Sequence, residues 1–197
     1  MVTHEEMVEA FGTDGILLMD AHRLREIGVS DEDARILCEV GLPVRSDEAF
    51  TTLLEDEPSV GSVIVFKTSK GDFDVLVLGG TAERWGMRYF LDLGKGHVGL
   101  LSLGEEPQTG RANTSLAVFV EFLHRLRLRQ EAVNGEEEDV SRRHTERLRL
   151  SLEELDPRAL GSAESWWSMV MDNLMKRDFI EETRAFLQQR RAEVARS

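Results

Sequence analysis

The spacing of apolar and polar positions changes twice along the 197 residues. In the first forty residues apolar positions recur at helical spacing behind cap signals. Thr3 followed by Glu6 is a capping-box pattern, and it predicts a short helix that ends near Gly12. Ser30, followed by three acidic residues, predicts a second helix start, and Gly41 predicts the end of that helix.

The middle of the chain has short apolar runs separated by glycine-containing turns, which is typical of strands. The predicted strands are Ser62–Phe66, Phe73–Leu78, Met87–Leu93 and His97–Leu103. We expect the first of them to be a buried strand. Too few residues separate the strands to hold crossover helices, so the pattern predicts an antiparallel meander.

Past Gly110 the helical period returns. Predicted helices begin near Leu116, cover 140–155, and begin again at Ser162 and Asp178. The predicted fold class is therefore α+β, with a central antiparallel β-sheet flanked by N-terminal and C-terminal helices. We expect residues 1–130 to form the α+β core and residues 131–197 to form a C-terminal helical extension packed on that core.

The chain carries 24 Lys and Arg against 37 Asp and Glu, a formal net charge of −13. A field of this sign repels nucleic acid and anionic lipid, and it speeds association with a basic partner. Acidity that only keeps a protein soluble explains the same number equally well. We expect a basic protein partner, no direct nucleic-acid binding and no membrane contact. The sequence leaves the oligomeric state undetermined.

The first residues, MVTHEEMVEAFG, carry acidic groups where a signal peptide needs positive charge and then an apolar core. No stretch approaches the roughly 20 apolar residues of a membrane span. The single cysteine, Cys38, cannot form an intramolecular disulfide. These features predict a cytoplasmic protein.

Most catalytic templates are missing. The histidines lack the HExxH or CxxC/HxxxH spacing of a zinc site; they are His4, His22, His97, His124 and His144. The glycines around Lys95 lie between two predicted strands, which favours a hairpin over a phosphate-binding loop. No GxSxG motif is present, and Cys38 lies on the apolar face of a predicted helix. We predict no catalytic residues, no metal and no cofactor, although a metal site assembled from distant residues stays open.

The tryptophans allow two interpretations each. Trp85, in a glycine-flanked loop, is either a lid on the sheet or a contact point. Trp166 and Trp167 are neighbours on a predicted helix, where adjacent side chains point about 100° apart. At most one of them therefore faces the core squarely. Packing under the last helix is the simpler interpretation of this pair, and a partner-binding anchor is the alternative.

Short motifs follow one another along most of the chain: Ala34-Arg35 through Val40-Gly41-Leu42-Pro43; Phe90-Leu91-Asp92 with Gly96-His97-Val98; Asn113-Thr114-Ser115-Leu116 with Phe119 and Phe122-Leu123; and Leu155-Asp156-Pro157-Arg158-Ala159-Leu160 with Trp166-Trp167. Each is weak alone, and their order and spacing strengthen them. Together they resemble the SUKH-4 immunity proteins, part of the SUKH superfamily that includes the Smi1/Knr4 and Syd proteins.

This resemblance implies an α+β fold with a central antiparallel sheet. It implies a family of mainly immunity proteins that neutralise polymorphic toxins, often nucleases or nucleic-acid deaminases, with scaffolding roles for some members. The family is regarded as non-enzymatic, so the resemblance brings no catalytic residues. It also picks out no single contact set.

The leading hypothesis is a non-enzymatic intracellular immunity protein that binds a cognate toxin acting on nucleic acid, its acidic groups replacing phosphate in the toxin's basic groove. Candidate contacts lie on and around the second and third predicted strands: Asp72, Asp74, Glu83, Trp85, Arg88 and Asp92. Alternation places Asp72 and Asp74 on one strand face. The alternative is a regulatory or scaffolding module of the Smi1/Knr4 type that docks through Trp166 and Trp167. A third class, an enzyme with a fold-assembled site, finds no support in the sequence.

Overall fold

A computed structural model describes residues 1–47, 49–68, 71–81, 87–102 and 108–176. The chain divides into two compact units, with the division between residues 128 and 129. The helix predicted to begin at Asp178 lies outside the described residues. The strands are antiparallel and helices precede and follow them, so the predicted α+β class is confirmed.

Short elements make up the N-terminal part of the first unit. They are helix α1 (His4–Phe11), a 3-10 turn (Thr13–Gly15), strand β1 (Ile16–Leu17), helix α2 (Ala21–Glu26), helix α3 (Asp31–Arg35) with a π-helical continuation (Ile36–Val40), and strand β2 (Leu42–Pro43). Strands β1 and β2 pair with each other. The capping box is confirmed, because the Glu6 amide donates to Thr3 Oγ1 and the Thr3 amide donates to Glu6 Oε2. Ser30 caps α3 as predicted, accepting from the Asp33 amide.

The main sheet holds strands β3 (Arg45–Ser46), β4 (Phe50–Thr51), β5 (Val63–Thr68), β6 (Gly71–Gly80), β7 (Met87–Asp92), β8 (Val98–Ser102) and β9 (Gln108–Asn113). Its strand order is β3-β4-β6-β7-β8-β9, and β5 pairs with β6 beside this path. The predicted meander corresponds to β5 through β8. Strand β9 was not predicted, because its polar, glycine-containing sequence lacks apolar alternation.

The prediction that Ser62–Phe66 is a buried strand is wrong for the face that carries Val63 and Val65. Strand β5 pairs with β6 and with no other strand among those described. The side chains of Val63 and Val65 are 40% and 53% exposed. A continuous apolar run predicts burial on both faces, but an edge position leaves one face of β5 open to solvent.

Helix α4 (Leu116–Ala132) supplies the apolar partner for one face of the sheet. The Phe119 ring lies 4.9 Å from Tyr89 on β7 and 5.5 Å from Phe50 on β4, and all three side chains are fully buried. The Tyr89 hydroxyl donates to the Ala49 carbonyl at 3.0 Å, so its polar atom is satisfied inside the core. This aromatic cluster joins the short strand β4, the central strand β7 and α4.

The second unit contains helix α5 (Glu138–Leu155) and a helix over 166–176. The Arg129 guanidinium donates to Thr145 Oγ1, and that hydroxyl donates to the Ser141 carbonyl. Trp167 is fully buried, whereas Trp166 is partly exposed. The prediction that at most one of the two faces the core squarely is confirmed.

The turn between β7 and β8 depends on one buried carboxylate. Asp92 is 1% exposed, and its Oδ1 accepts from the Gly94 and Lys95 amides at 3.0 and 2.8 Å. Its Oδ2 lies 3.8 Å from both Lys95 Nζ and His97 Nδ1. Gly96 completes the turn with a φ of 67°, a conformation that favours glycine. Asp92, predicted as a partner contact, is therefore committed to the turn.

We predict that Gly99→Ala lowers the free energy of unfolding by about 1 to 3 kcal/mol, the usual cost of overpacking. A Cβ at this position would come within 2.7 Å of both Cε atoms of the Phe90 ring, closer than real Cβ contacts. Gly110→Ala on the neighbouring strand is the control, because a Cβ there meets nothing within 4 Å. Urea unfolding measures both variants, and equal stabilities would contradict the packing argument.

A second prediction concerns pH. Burial lowers the pKa of His97, although the nearby Asp92 carboxylate opposes that shift. The unfolded chain then binds a proton at this site more readily than the folded one, so stability falls as pH drops below the ordinary histidine value of about 6.5. We expect His97→Gln to lose less stability than the natural protein between neutral and mildly acidic pH. Parallel pH profiles from thermal unfolding would contradict this assignment.

Candidate protein-interaction surface

Strand β6 divides into two halves of opposite character. Its residues from Val75 to Gly80 are all buried, whereas Asp72 and Asp74 are exposed. The apolar second half packs into the core, and the first half extends past it. Asp72 and Asp74 are alternate residues of one strand, so they share a face as the sequence predicted. Across the ladder, Asp74 pairs with Val65 of β5, which is also exposed.

The opposite face of the same strands is aromatic. The rings of Phe66 and Phe73 stack at 5.3 Å between centroids, and Phe66 lies 5.9 Å from Phe90. These side chains pack around the buried Val75 and Leu101. Phe66 and Phe73 are only partly buried, so this face of the β5–β6 hairpin continues from the core to the solvent.

A cavity of 480 Å³ lies beside this aromatic face. Its lining residues come from β5, from β8 and from the segment before β5: Glu57, Pro58, Ser62, Val63, Ile64, Phe66 and Leu101. The lining is mostly apolar, and its acidic residue is Glu57, whose Oε2 accepts from the Ser59 amide at 2.8 Å. This combination suits an apolar side chain of a partner that carries a positive charge close by.

Arg88, another predicted contact, holds the loop that precedes β5. It is 7% exposed, and its guanidinium donates to the carbonyls of Asp56 at 3.1 Å and Pro58 at 3.4 Å. A third bond reaches the Met87 carbonyl. These bonds fasten a loop whose acidic side chains, Glu55, Asp56 and Glu57, are all exposed. Arg88 therefore positions acidic groups and has its own charge turned inward.

The predicted contacts thus fall into three groups. Asp72 and Asp74 are exposed and share one face of β6. Arg88 and Asp92 are buried and bonded within the chain, so burial removes them from direct contact in this conformation. Glu83 and Trp85 lie outside the described residues. The exposed groups that sequence reasoning left out are Val63, Val65 and the acidic loop at residues 55–57.

Nucleophilic and metal chemistry find little support in the described part of the chain. Burial raises the pKa of the Cys38 thiol, and the neighbouring Asp20 and Glu39 carboxylates raise it further. A thiol held protonated in this way is a poor nucleophile. Among the described residues no cluster of three His, Cys, Asp or Glu side chains could hold a metal ion. None of the helices in the described ranges has the length and apolar character needed to cross a membrane.

Comparison with known proteins supplies the remaining evidence. No curated protein and no solved structure matches the chain. A family model described as SUKH-4 immunity protein matches residues 2–173. That match covers the sheet, α4, α5 and most of the helix over 166–176. The chain therefore belongs to the SUKH-4 immunity protein family.

Proposed function

We propose that this protein is a non-enzymatic, cytoplasmic immunity protein that binds a cognate polymorphic toxin and blocks its activity. The observation that carries the proposal is the family match over residues 2–173. Immunity of this kind needs a surface that the toxin recognises, and it needs no chemistry from the immunity protein itself. The exposed, mixed acidic and apolar surface around β5 and β6 fits that requirement.

The toxin we propose acts on nucleic acid. Such a toxin carries a basic groove for its substrate, and a chain with a net charge of −13 is attracted to that groove from a distance. Asp72 and Asp74 would occupy phosphate positions, helped by the acidic loop that Arg88 fastens. We keep Glu83 and Trp85 as proposed contacts on sequence grounds. Arg88 and Asp92 enter the proposal as positioning residues.

We predict that this protein restores growth to cells producing the toxin domain encoded beside its own gene, a C-terminal domain of a large secreted protein. Binding of the toxin in the cytoplasm would block its activity before damage accumulates. Co-expression and colony counts measure the effect. The control is the same secreted protein carrying a different C-terminal toxin domain, which should remain lethal.

Failure to relieve any neighbouring toxin would overturn the immunity proposal. In that case docking to a host protein would support the regulatory alternative. Trp167 is fully buried and does not reach a partner, so the partly exposed Trp166 would be the anchor in that alternative.

We further predict that the double variant Asp72→Asn, Asp74→Asn associates with the toxin about three- to tenfold more slowly at low salt. Both carboxylates are exposed, so folding stability should change by less than about 0.5 kcal/mol. The difference in rate should shrink as salt rises, because salt screens exposed charges. Stopped-flow association at several ionic strengths measures it.

The matched control is Glu153→Gln, Glu154→Gln, which removes the same charge from exposed positions on α5. If both double variants slow association equally, net charge alone guides the encounter. In that case the contact role of Asp72 and Asp74 is wrong.

A further inference from the structure

The outer edge of β5 presents backbone groups that no described strand uses. The Leu93 amide donates to the Asp74 carbonyl at 3.0 Å, so the peptide groups of residue 74 face β7. Val65, directly opposite Asp74, therefore belongs to a non-hydrogen-bonded pair. In such a pair the N–H and C=O groups point away from the partner strand. Those of Val65 point out of the sheet.

A second hydrogen bond gives the same assignment of the β5 residues whose backbone groups point outward. The Val77 amide donates to the Ser62 carbonyl at 2.9 Å, so residue 62 faces β6 and the next residue, Val63, faces outward. Alternation then places the backbone groups of residues 63, 65 and 67 along the open edge. The ladder between β5 and β6 runs without a bulge from Val63 to Thr68. The edge is therefore regular, and no other described strand pairs with it.

Edges of this kind are usually guarded. Proteins protect them with charged side chains, above all lysine, or with proline, bulges or short length, because an unprotected edge pairs with other chains. Strand β5 has the sequence VIVFKT, which contains no proline. Its one charged residue, Lys67, lies near the end of the strand, so positions 63 to 66 carry no such protection. Val63 and Val65 add exposed apolar area on one face. On the other face, Ile64 and Phe66 line the 480 Å³ cavity.

The charged groups around the edge indicate which kind of strand would bind there. Asp74 lies on β6, one strand inward from Val65, and a strand added to β5 would lie about 9.5 Å from it, two strand spacings. A Lys or Arg side chain on that strand can reach across Val65 to the Asp74 carboxylate. Glu57 borders the cavity on the other face. A second copy of this chain would bring its own carboxylates and a charge of −13 to the same edge, which disfavours self-pairing.

We propose that the partner toxin adds an extended, basic strand to the open edge of β5. On one face of that strand apolar side chains would enter the cavity, and on the other face a Lys or Arg would lie beside Val65. The proposal rests on the proposed immunity function and names the part of the toxin that is recognised. Main-chain hydrogen bonds to residues 63, 65 and 67 supply affinity, and the flanking side chains supply specificity. The Lys or Arg beside Val65 would pair with the Asp74 carboxylate.

The test uses Val65→Lys, Val65→Pro and the control Leu128→Lys, with the full chain and the toxin domain that the natural protein neutralises. A lysine at position 65 places a positive charge on the edge, which disfavours strand pairing and repels a basic strand. Proline at 65 removes an outward amide, a position where an edge strand tolerates proline. Leu128, 46% exposed on α4, receives the same apolar-to-lysine change outside the sheet. Thermal unfolding checks that each variant folds.

We expect Val65→Lys and Val65→Pro to weaken toxin binding about 30-fold or more, the loss that defines an interface hot spot. Leu128→Lys should bind normally. Amide hydrogen exchange of the natural protein should show new protection at residues 63, 65 and 67 in the complex. This exchange measurement tests the proposal even if the proline variant fails to fold.

Normal binding by Val65→Lys, or unchanged exchange along β5 in the complex, would overturn the edge proposal and leave the immunity function standing. A natural protein that binds no toxin would overturn the immunity function instead. Sedimentation of the free protein measures whether it self-associates. A dimer that Val65→Lys dissociates would show a second copy on the edge, and it would also contradict the proposal.

Discussion

The ladder of strand β6 connects the core with the candidate interaction surface. On one side β6 pairs with β7, and on the other it pairs first with β5 and then, at Gly80, with β4. Its buried half lies between β7 and β4, whose Tyr89 and Phe50 rings pack against Phe119 of α4. Its exposed half continues the same strand and pairs with β5, Asp74 opposite Val65 and Asp72 opposite Lys67. The acidic positions are therefore placed by the same ladder that builds the core.

Arg88 likewise connects the loop before β5 to the sheet. A guanidinium that is almost fully buried needs partners, and it finds them in the carbonyls of Asp56 and Pro58. Removing these bonds would leave a buried charge and free the loop. Through these carbonyls Arg88 holds in place a loop that carries three exposed acidic residues, at positions 55–57. A residue predicted to touch the partner contributes by shaping the surface instead.

Local signals in the sequence were enough for the helix starts and for most of the meander. The caps at Thr3 and Ser30 involve residues only three positions apart, so they can be recognised without the fold. The prediction that at most one of Trp166 and Trp167 faces the core squarely also held, because it depends only on the geometry of a helix. The edge position of β5 could not be predicted, since its apolar sequence suits a central strand equally well. Strand order is decided by contacts between residues distant in the sequence.

The burial of two charged residues, Arg88 and Asp92, could not be predicted from the sequence either. Arg88 and Asp92 belong to residue types that mostly lie at the surface, so a sequence pattern favours exposure for both. What places them inside is a set of backbone partners: carbonyls of residues 56, 58 and 87 for Arg88, and amides of residues 94 and 95 for Asp92. Such partners exist only after the turns have formed. A charged side chain that fixes a turn and one that meets a partner look alike in the sequence.

The net charge of −13 gains meaning only from its distribution. Charge spread over a surface attracts any basic protein and selects none of them, because screened long-range forces carry little shape information. Around β5 the carboxylates of Asp74 and Glu57 flank apolar groups and open backbone positions. Attraction then affects chiefly the rate of encounter, while main-chain pairing and the cavity govern how long a partner stays. Discrimination between toxins of similar charge must therefore depend on the edge and on the cavity.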